Sequence, residues 1–254
     1  MKDIKEDWNT MAAAYEEFGT AEDSYSYNIE WRCIRKLLPE LKGKSVLDIG
    51  CGTGIFTFLL EAFEPERLVG IDLSEEMLAI AKKKADSQRS KAEFICGDAA
   101  DIREKIDVQF DFIFSSTTTH YIKNLKAMFA GIADCLKEDG RCILSVIHPV
   151  YSAMYPVEHG GTFPEDDEWQ VRYLDRSIRA YIQPWIEYND ACENHLSVSY
   201  HHLFGDYVNA AVSAGLKICG VHEPMPPENW KTEFPGRYES FVETPTYLIM
   251  ELSK

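Results

Sequence analysis

The chain reads as an α/β domain built on a doubly wound, mainly parallel sheet. Three observations predict this. Short β-prone apolar runs alternate with amphipathic helical patterns between about residues 45 and 150, the rhythm of a sheet whose crossovers are helices. The first of these strands runs directly into a glycine turn and a helix, the corner at which such sheets receive ligands. The 254 residues are 45% hydrophobic and 27% charged, a globular balance and a length sufficient for one sizeable core.

The elements follow in order. Trp8, Met11, Ala12 and Tyr15, then Ile29, Cys33, Ile34, Leu37 and Leu38, recur at helical spacing, and Pro39 ends the run. Residues 1–40 therefore form an N-terminal helical cap. Strands are predicted at 45–49, 67–71, 92–95, 110–115 and 142–147, and helices at 55–63, 75–85 and 125–136. The pattern breaks after His148-Pro149. Residues 150–198 are polar and aromatic, with Gly160-Gly161, Pro164 and the acidic run Glu165-Asp166-Asp167-Glu168. So long a departure inside one domain (1–254) predicts a lid or substrate insertion. A helix at 204–214, a strand at 216–222, a proline-rich loop at 224–235 and a last strand at 246–252 complete the chain.

Bulk composition narrows the partners. The formal net charge of −16 repels phosphate backbones, so no nucleic acid is expected. The basic cluster Lys82-Lys83-Lys84 falls late in a helix, where cations suit the dipole, and reads as a solvated end. No apolar run approaches the roughly 20 residues that span a bilayer, and the first residues lack an apolar signal core, which predicts a cytoplasmic protein with no membrane partner. None of the seven cysteines forms a C-x-x-C pair. They read as small hydrophobes in a reducing compartment, with neither a disulfide framework nor a metal site.

The most informative stretch is Val46-Leu47-Asp48-Ile49-Gly50-Cys51-Gly52-Thr53-Gly54. A buried strand ends in three alternate glycines, which let a ligand lie against bare backbone. The spacing is neither the dinucleotide fingerprint nor the phosphate loop. Asp48 leading into the turn would repel a pyrophosphate and favour a cationic or amine-bearing ligand.

At these residues the chain resembles the class I S-adenosylmethionine (SAM) dependent methyltransferases. The resemblance implies a Rossmann-like seven-stranded sheet, mostly parallel with the last strand antiparallel, and SAM as cofactor with S-adenosylhomocysteine (SAH) as product. It implies that the glycine turn (Gly50, Cys51, Gly52, Thr53) receives the methionine arm, with Asp48 and the Gly50 carbonyl holding its amino group. Asp72 ends the second strand, where a carboxylate accepts hydrogen bonds from both ribose hydroxyls; its other reading is a cap of the next helix, a task Ser74 performs as well. Leu73 and Met77 follow it, and Met77 suits packing on adenine or simple core packing. Gly97-Asp98-Ala99 resembles the family's adenine motif, although Asp98 also suits the cap of a helical turn at 99–104. Ser115 faces the methionine arm at the end of the fourth strand. Tyr15 matches an aromatic residue that closes over the cofactor. Arg32 is placed either on the methionine carboxylate or in solvent.

Candidate catalytic residues are histidines and their neighbours at strand ends: His120, Tyr121, His148 and His201. Much of the chain resembles a bacterial and archaeal subgroup of small-molecule methyltransferases, through His120-Tyr121-Ile122, His148-Pro149, Tyr200-His201 and Glu223-Pro224-Met225-Pro226. The subgroup usually carries Arg after the Tyr-His step, whereas this chain has His202. Aromatic residues crowd the insertion: Tyr151, Tyr155, Phe163, Trp169, Tyr173, Tyr181, Trp185 and Tyr188. They line a pocket for a planar or lipidic acceptor, or form a small core of the lid. The expected function is methyl transfer from SAM to an O or N atom of a small molecule. Transfer to tRNA or protein, and a SAM-binding regulator without catalysis, are the alternatives.

Overall fold

A parallel sheet buried on both faces needs strands without polar alternation, and the strand runs of this chain supply them. The computed structural model describes residues 3–21, 24–157, 171–183 and 196–254. In order, the elements are α1 (Ile4–Gly19), a π-helical turn (Ser26–Trp31), α2 (Arg32–Leu37), β1 (Ser45–Ile49), α3 (Ile55–Glu61), β2 (Arg67–Asp72), α4 (Glu75–Gln88) and β3 (Glu93–Cys96). A 3-10 turn (Ala99–Glu104), β4 (Phe110–Ser116), a second 3-10 turn (Thr119–Tyr121), α5 (Leu125–Cys135), β5 (Leu136–Ile147) and α6 (Pro149–Ser152) follow. The remainder is β6 (Arg179–Ile182), β7 (Leu196–Ser199), α7 (Phe204–Ser213), β8 (Lys217–His222), α8 (Trp230–Glu233), α9 (Pro235–Glu243) and β9 (Tyr247–Ser253).

Seven strands form one sheet in the order β3-β2-β1-β4-β5-β9-β8. The first five are parallel, and β9 runs antiparallel to both β5 and β8. This is the expected Rossmann-like architecture. The direction of winding reverses between β1 and β4, so a crevice opens beyond their C-terminal ends. Leu47, Ile49, Val69 and Ile113 face α5 and α7 in one core. Val46, Leu68, Phe112 and Phe114 face Trp31, Ile34 and Phe56 in the other. Adjacent residues of one strand thus enter opposite cores.

Three differences from the sequence reading have physical causes. β5 begins at Leu136, six residues before the predicted start. The charged stretch Lys137–Arg141 reads as a loop, yet buried Leu136 pairs with Phe110 across a register shift and Lys137 Nζ meets Asp111 Oδ2 at 2.8 Å. α9 lies in a region read as loop and connection. Pro235 is its first residue, where a missing N–H costs nothing, and Phe241 packs with Trp230, Ile29 and Tyr247. Lys84 is not a solvated end. It pairs with Glu16 of α1 at 2.7 Å and lies 5.4 Å from the Phe58 ring centre.

That ion pair helps fix α1 above the sheet. Lys5 also meets Glu75 at 3.1 Å, and the Ser74 hydroxyl donates to Asn9 Oδ1 at 2.7 Å. β6 and β7 form a separate antiparallel hairpin, and the Ser197 hydroxyl of β7 reaches Met11 Sδ of α1 at 3.5 Å. Phe163, Trp169, Trp185, Tyr188, the acidic run 165–168 and Cys192 lie outside the described residues. Among the described residues no helix is long and apolar enough to cross a membrane, and no cluster of His, Cys, Asp and Glu is able to hold a metal ion.

Candidate active site

The crevice at the winding reversal is a cavity of about 950 Å³, large enough for a nucleoside-sized ligand and a small second molecule. One half is backbone. Gly50, Gly52 and Gly54 have φ of 70°, 53° and 82°, in the left-handed region that glycine enters without strain. The Gly50 and Cys51 N–H groups both donate to Ile71 O, at 2.7 and 3.1 Å, which closes the turn against β2. A Cβ at Gly50 would collide with the Thr118 side chain. Gly50 and Gly52 line the cavity.

Asp72 stands beside this cradle. Its Oδ2 accepts from Gly52 N–H at 2.8 Å and its Oδ1 from Ser74 N–H at 2.9 Å. Each carboxylate oxygen keeps a lone pair for a ligand hydroxyl. Ser74 itself caps α4, accepting from Met77 N–H at 3.1 Å. Burial raises the Asp72 pKa against the pull of these N–H groups. Leu73, Met77, Gly97, Asp98 and Ala99 continue the same wall. Asp98 caps the following turn, its Oδ1 accepting from Ala100 N–H at 2.8 Å, and the residue also lines the cavity.

The other half is side chain. Tyr121, Tyr151, Tyr155, Tyr181 and Tyr247 line it, with Gln183 and His120. Tyr155 stacks on Tyr181 with centroids 4.1 Å apart, and Tyr151 meets Tyr155 edge-on at 5.5 Å. Gln183 Nε2 donates to Tyr121 Oη at 2.9 Å. Trp8 of α1 closes over both halves, with edge contacts to Tyr15 at 5.5 Å and to Tyr121 at 5.1 Å. His120 is buried, and its Nδ1 has no partner among the described residues. Burial, with His202 nearby, holds its pKa down at about 3, so the imidazole is neutral at physiological pH and offers a lone pair.

Comparison with known proteins agrees with this geometry. The model of a family described as a methyltransferase domain matches residues 46–140. A ubiquinone biosynthesis O-methyltransferase from Coxiella burnetii is 31% identical over 193 residues, covering 72% of this chain and 79% of the relative. The crystal structure of an S-adenosylmethionine dependent methyltransferase from Mesorhizobium loti superposes with a TM-score of 0.68 at 27% identity, over 89% of this chain and 97% of that one. The chain belongs to the SAM-dependent methyltransferases. Its cofactor is SAM and it is an enzyme. A juvenile hormone acid O-methyltransferase from Bombyx mori is also similar, 28% identical over 161 residues, which cover 59% of this chain and 55% of the relative.

The residues present fit SAM: a bare-backbone cradle that a Cβ would fill, an acid at the β2 end and an apolar wall with Met77. Of the residues predicted for the cofactor, Tyr15, Gly50, Gly52, Asp72, Leu73, Met77, Gly97, Asp98 and Ala99 line this methyltransferase cavity. Asp48, Cys51, Thr53 and Ser115 are buried and do not line it. Asp48 Oδ2 instead accepts from the Thr57 hydroxyl at 2.6 Å, and burial raises its pKa to about 7. The Ser115 hydroxyl donates to Ile49 O at 2.8 Å. Arg32 is exposed on α2, away from the cavity.

The catalytic candidates divide as well. His120 and Tyr121 line the cavity, whereas His148 and His201 do not. Both ring nitrogens of each outlying histidine are engaged. His148 Nδ1 accepts from Val150 N–H and its Nε2 meets Glu223 at 3.1 Å. His201 bonds the Ser152 hydroxyl and Tyr173 O, each at 2.8 Å. His202 Nε2 lies 2.8 Å from Ile122 O, so this departure from the subgroup serves a loop. Among the aromatics of the insertion, Tyr173 is taken by the fold: its hydroxyl accepts from Phe204 N–H at 3.0 Å. Trp8, Ser116, Gln183 and Tyr247 line the cavity but were not among the residues predicted for the site. The segment 230–241 did carry a signal, because Trp230, Phe234, Tyr238 and Phe241 recur at spacings of one helical turn.

Proposed function

We propose that this methyltransferase modifies an O or N atom of a small molecule bound in the tyrosine-walled half of the cavity. One observation carries the reading: the glycine cradle and the tyrosine wall are parts of a single cavity of about 950 Å³. The cradle takes the cofactor, and the wall presents ring faces and hydroxyls to a flat acceptor. In this reading Gly50 and Gly52 receive the methionine arm, Asp72 the ribose hydroxyls, and Met77, Asp98 and the Ala99 N–H the adenine. Asp48, Cys51, Thr53 and Ser115 support the turn from beneath. Tyr15 and Trp8 exclude water from above.

Bound SAM supplies a methyl group on a sulfonium leaving group, so the protein's task is mainly alignment, worth roughly 7–11 kcal/mol. Neutral His120 accepts a hydrogen bond from the acceptor and orients its lone pair. Tyr121, held by Gln183, fixes the neighbouring edge. Trp8 and Tyr15 of the N-terminal cap and Tyr151, Tyr155, Tyr181 and Gln183 of the insertion close around the acceptor. The names of the two O-methyltransferase relatives support an oxygen acceptor.

The test is transfer of label from methyl-labelled SAM to panels of phenols, amines and carboxylic acids, with bulk tRNA and protein as separate arms. Label on a small-molecule O or N atom is the expected result. Label on tRNA or protein alone, or SAH binding without transfer to any arm, would overturn the reading.

A further inference from the structure

Behind the cavity wall, bonded to a residue that lines it, is a carboxyl group that neither half uses. Glu30 sits on the π-helical turn Ser26–Trp31 and is fully buried; such turns recur at functional sites. Its Oε1 accepts from the Ser116 hydroxyl at 2.5 Å, while Oε2 is buried with no partner among the described residues. Ser116 ends β4 and lines the cavity, as do Ser26 on Glu30's own turn and Tyr247 at the start of β9. Ser145 of β5 is in register with Ser116, and the hydroxyls of Ser116, Ser145 and Ser26 pull the Glu30 pKa down against burial. The titratable groups facing Glu30 are the phenols of Tyr15 from α1 and Tyr247 from β9, while β4 and β5 present serines. Among the described residues no Lys, Arg or His acts on it. A carboxyl buried without a cation is costly when ionised, and burial accordingly raises its pKa to about 7. A purely structural contact to a serine would be served as well by a glutamine.

We propose that Glu30 is a proton store for methyl transfer, connected to the acceptor through the Ser116 hydroxyl. This rests on the reading of the cavity as the place where a small O–H or N–H acceptor is methylated. A cationic ligand entering the cavity favours the carboxylate form, so Glu30 gives up its proton to solvent. As the methyl group is transferred, the C–S bond breaks with its electron pair left on sulfur, and a C–O or C–N bond forms to the acceptor's lone pair. The acceptor's proton passes to Ser116 Oγ, and Ser116's own proton passes to Glu30 Oε1. Each turnover thus converts one sulfonium cation into a neutral thioether and releases one proton, with no further reactant. The cation disappears at the step at which the acceptor becomes acidic, and its loss restores the basicity of Glu30. Ser116 touches the acceptor, and Glu30 is a positioning residue acting through it. The chemistry selects a class of substrate: a phenol, alcohol or amine, which has a proton to lose, over a free carboxylate, which has none.

Titration calorimetry with SAM and with SAH, in two buffers of different ionisation enthalpy across pH 6–8, tests this without an acceptor. Both ligands carry the same amino-acid arm, so its effect on Asp48 cancels in their difference; any sulfonium effect on Asp48 persists in Glu30→Gln and is removed by comparing the two proteins. The excess of protons released with SAM over SAH near pH 7 should be about half a proton larger in the wild-type enzyme than in Glu30→Gln. SAH affinity of Glu30→Gln should stay within about twofold. An undiminished difference in Glu30→Gln overturns the proton store. Failure of the wild type to bind either ligand would instead overturn the reading of the cavity. If Glu30→Gln does not fold, Ser116→Ala decides. Removing the donor to the carboxylate should move the maximum of SAM-linked release to higher pH, and an unmoved profile overturns the proposal.

Discussion

The two halves of the cavity are built on different physical terms. The cradle half is local and made of backbone: Gly50, Gly52 and Asp72 lie within 23 residues at the ends of two paired strands. The tyrosine half is assembled at a distance. Tyr121 follows β4, Tyr151 is on α6, Tyr181 on β6 and Tyr247 on β9. A ligand held by backbone and one carboxylate tolerates little change in its site. A ligand held by ring faces is specified by side chains that differ freely without disturbing the sheet. In the proposed division of the cavity, this contrast lets one fold keep its cofactor while exchanging its acceptor.

The largest expected difference between the halves is the proton held by the buried carboxyl under the cradle. Burial raises Asp48 from 3.8 to about 7 in the fold. A carboxyl raised in the folded state contributes stability that is complete below its unfolded pKa and is lost as pH rises through the folded value. The window therefore runs from about pH 4 to pH 7, and the upper bound is roughly 4 kcal/mol at about 1.4 kcal/mol per unit. Thermal unfolding of Asp48→Asn should show a flatter decline of Tm across that window than the wild type. Tyr155→Phe, in the other half, should leave the slope alone. Equal slopes in all three proteins would mean that the cradle holds no such proton.

Next in size is ligand loss. Asp72→Ala removes the charged acceptor proposed for the ribose, and the loss of one bond to a charged group is worth about 1.5–3 kcal/mol. SAH affinity, measured by calorimetry, should fall about 10- to 150-fold. Tyr155→Ala deletes one partner of the stacked pair with Tyr181, a contact of about 0.5–1.5 kcal/mol beyond its buried area. It should raise the acceptor KM about tenfold while SAH affinity stays within about twofold. If Tyr155→Ala weakens SAH as much as Asp72→Ala does, the cavity does not divide as described.

The same contrast governs what was legible beforehand. The cradle was readable because its residues are adjacent in sequence and their conformation demands glycine. The positions of the parallel strands were readable because burial on both faces requires unbroken apolar runs. Arg32 and Asp48 show the limit: a helix position or a motif position does not say which way a side chain turns, and these two turn to solvent and to Thr57. His148 and His201 sit near strand ends, yet their ring nitrogens are spent on Val150, Glu223, Ser152 and Tyr173. Glu30 escaped notice because no local pattern marks it. Its meaning comes from Ser116, 86 residues away.

The smallest predicted effect concerns α1, an element that the halves share. α1 carries Trp8 and Tyr15 over both, and the Glu16–Lys84 pair, whose side chains are only 23% and 22% exposed, ties it to α4. Desolvation of two mostly covered charges offsets much of their attraction, so the pair contributes a net of about 1 kcal/mol. Lys84→Ala should therefore weaken SAH binding and raise the acceptor KM by similar, modest factors of about two to five. Glu16→Gln should add little to it, since the two changes remove one interaction, and a double-mutant cycle measures that coupling directly. Equal effects on both ligands would make α1 a common roof. An effect on SAH alone would assign α1 to the cradle and leave the tyrosine wall to close itself.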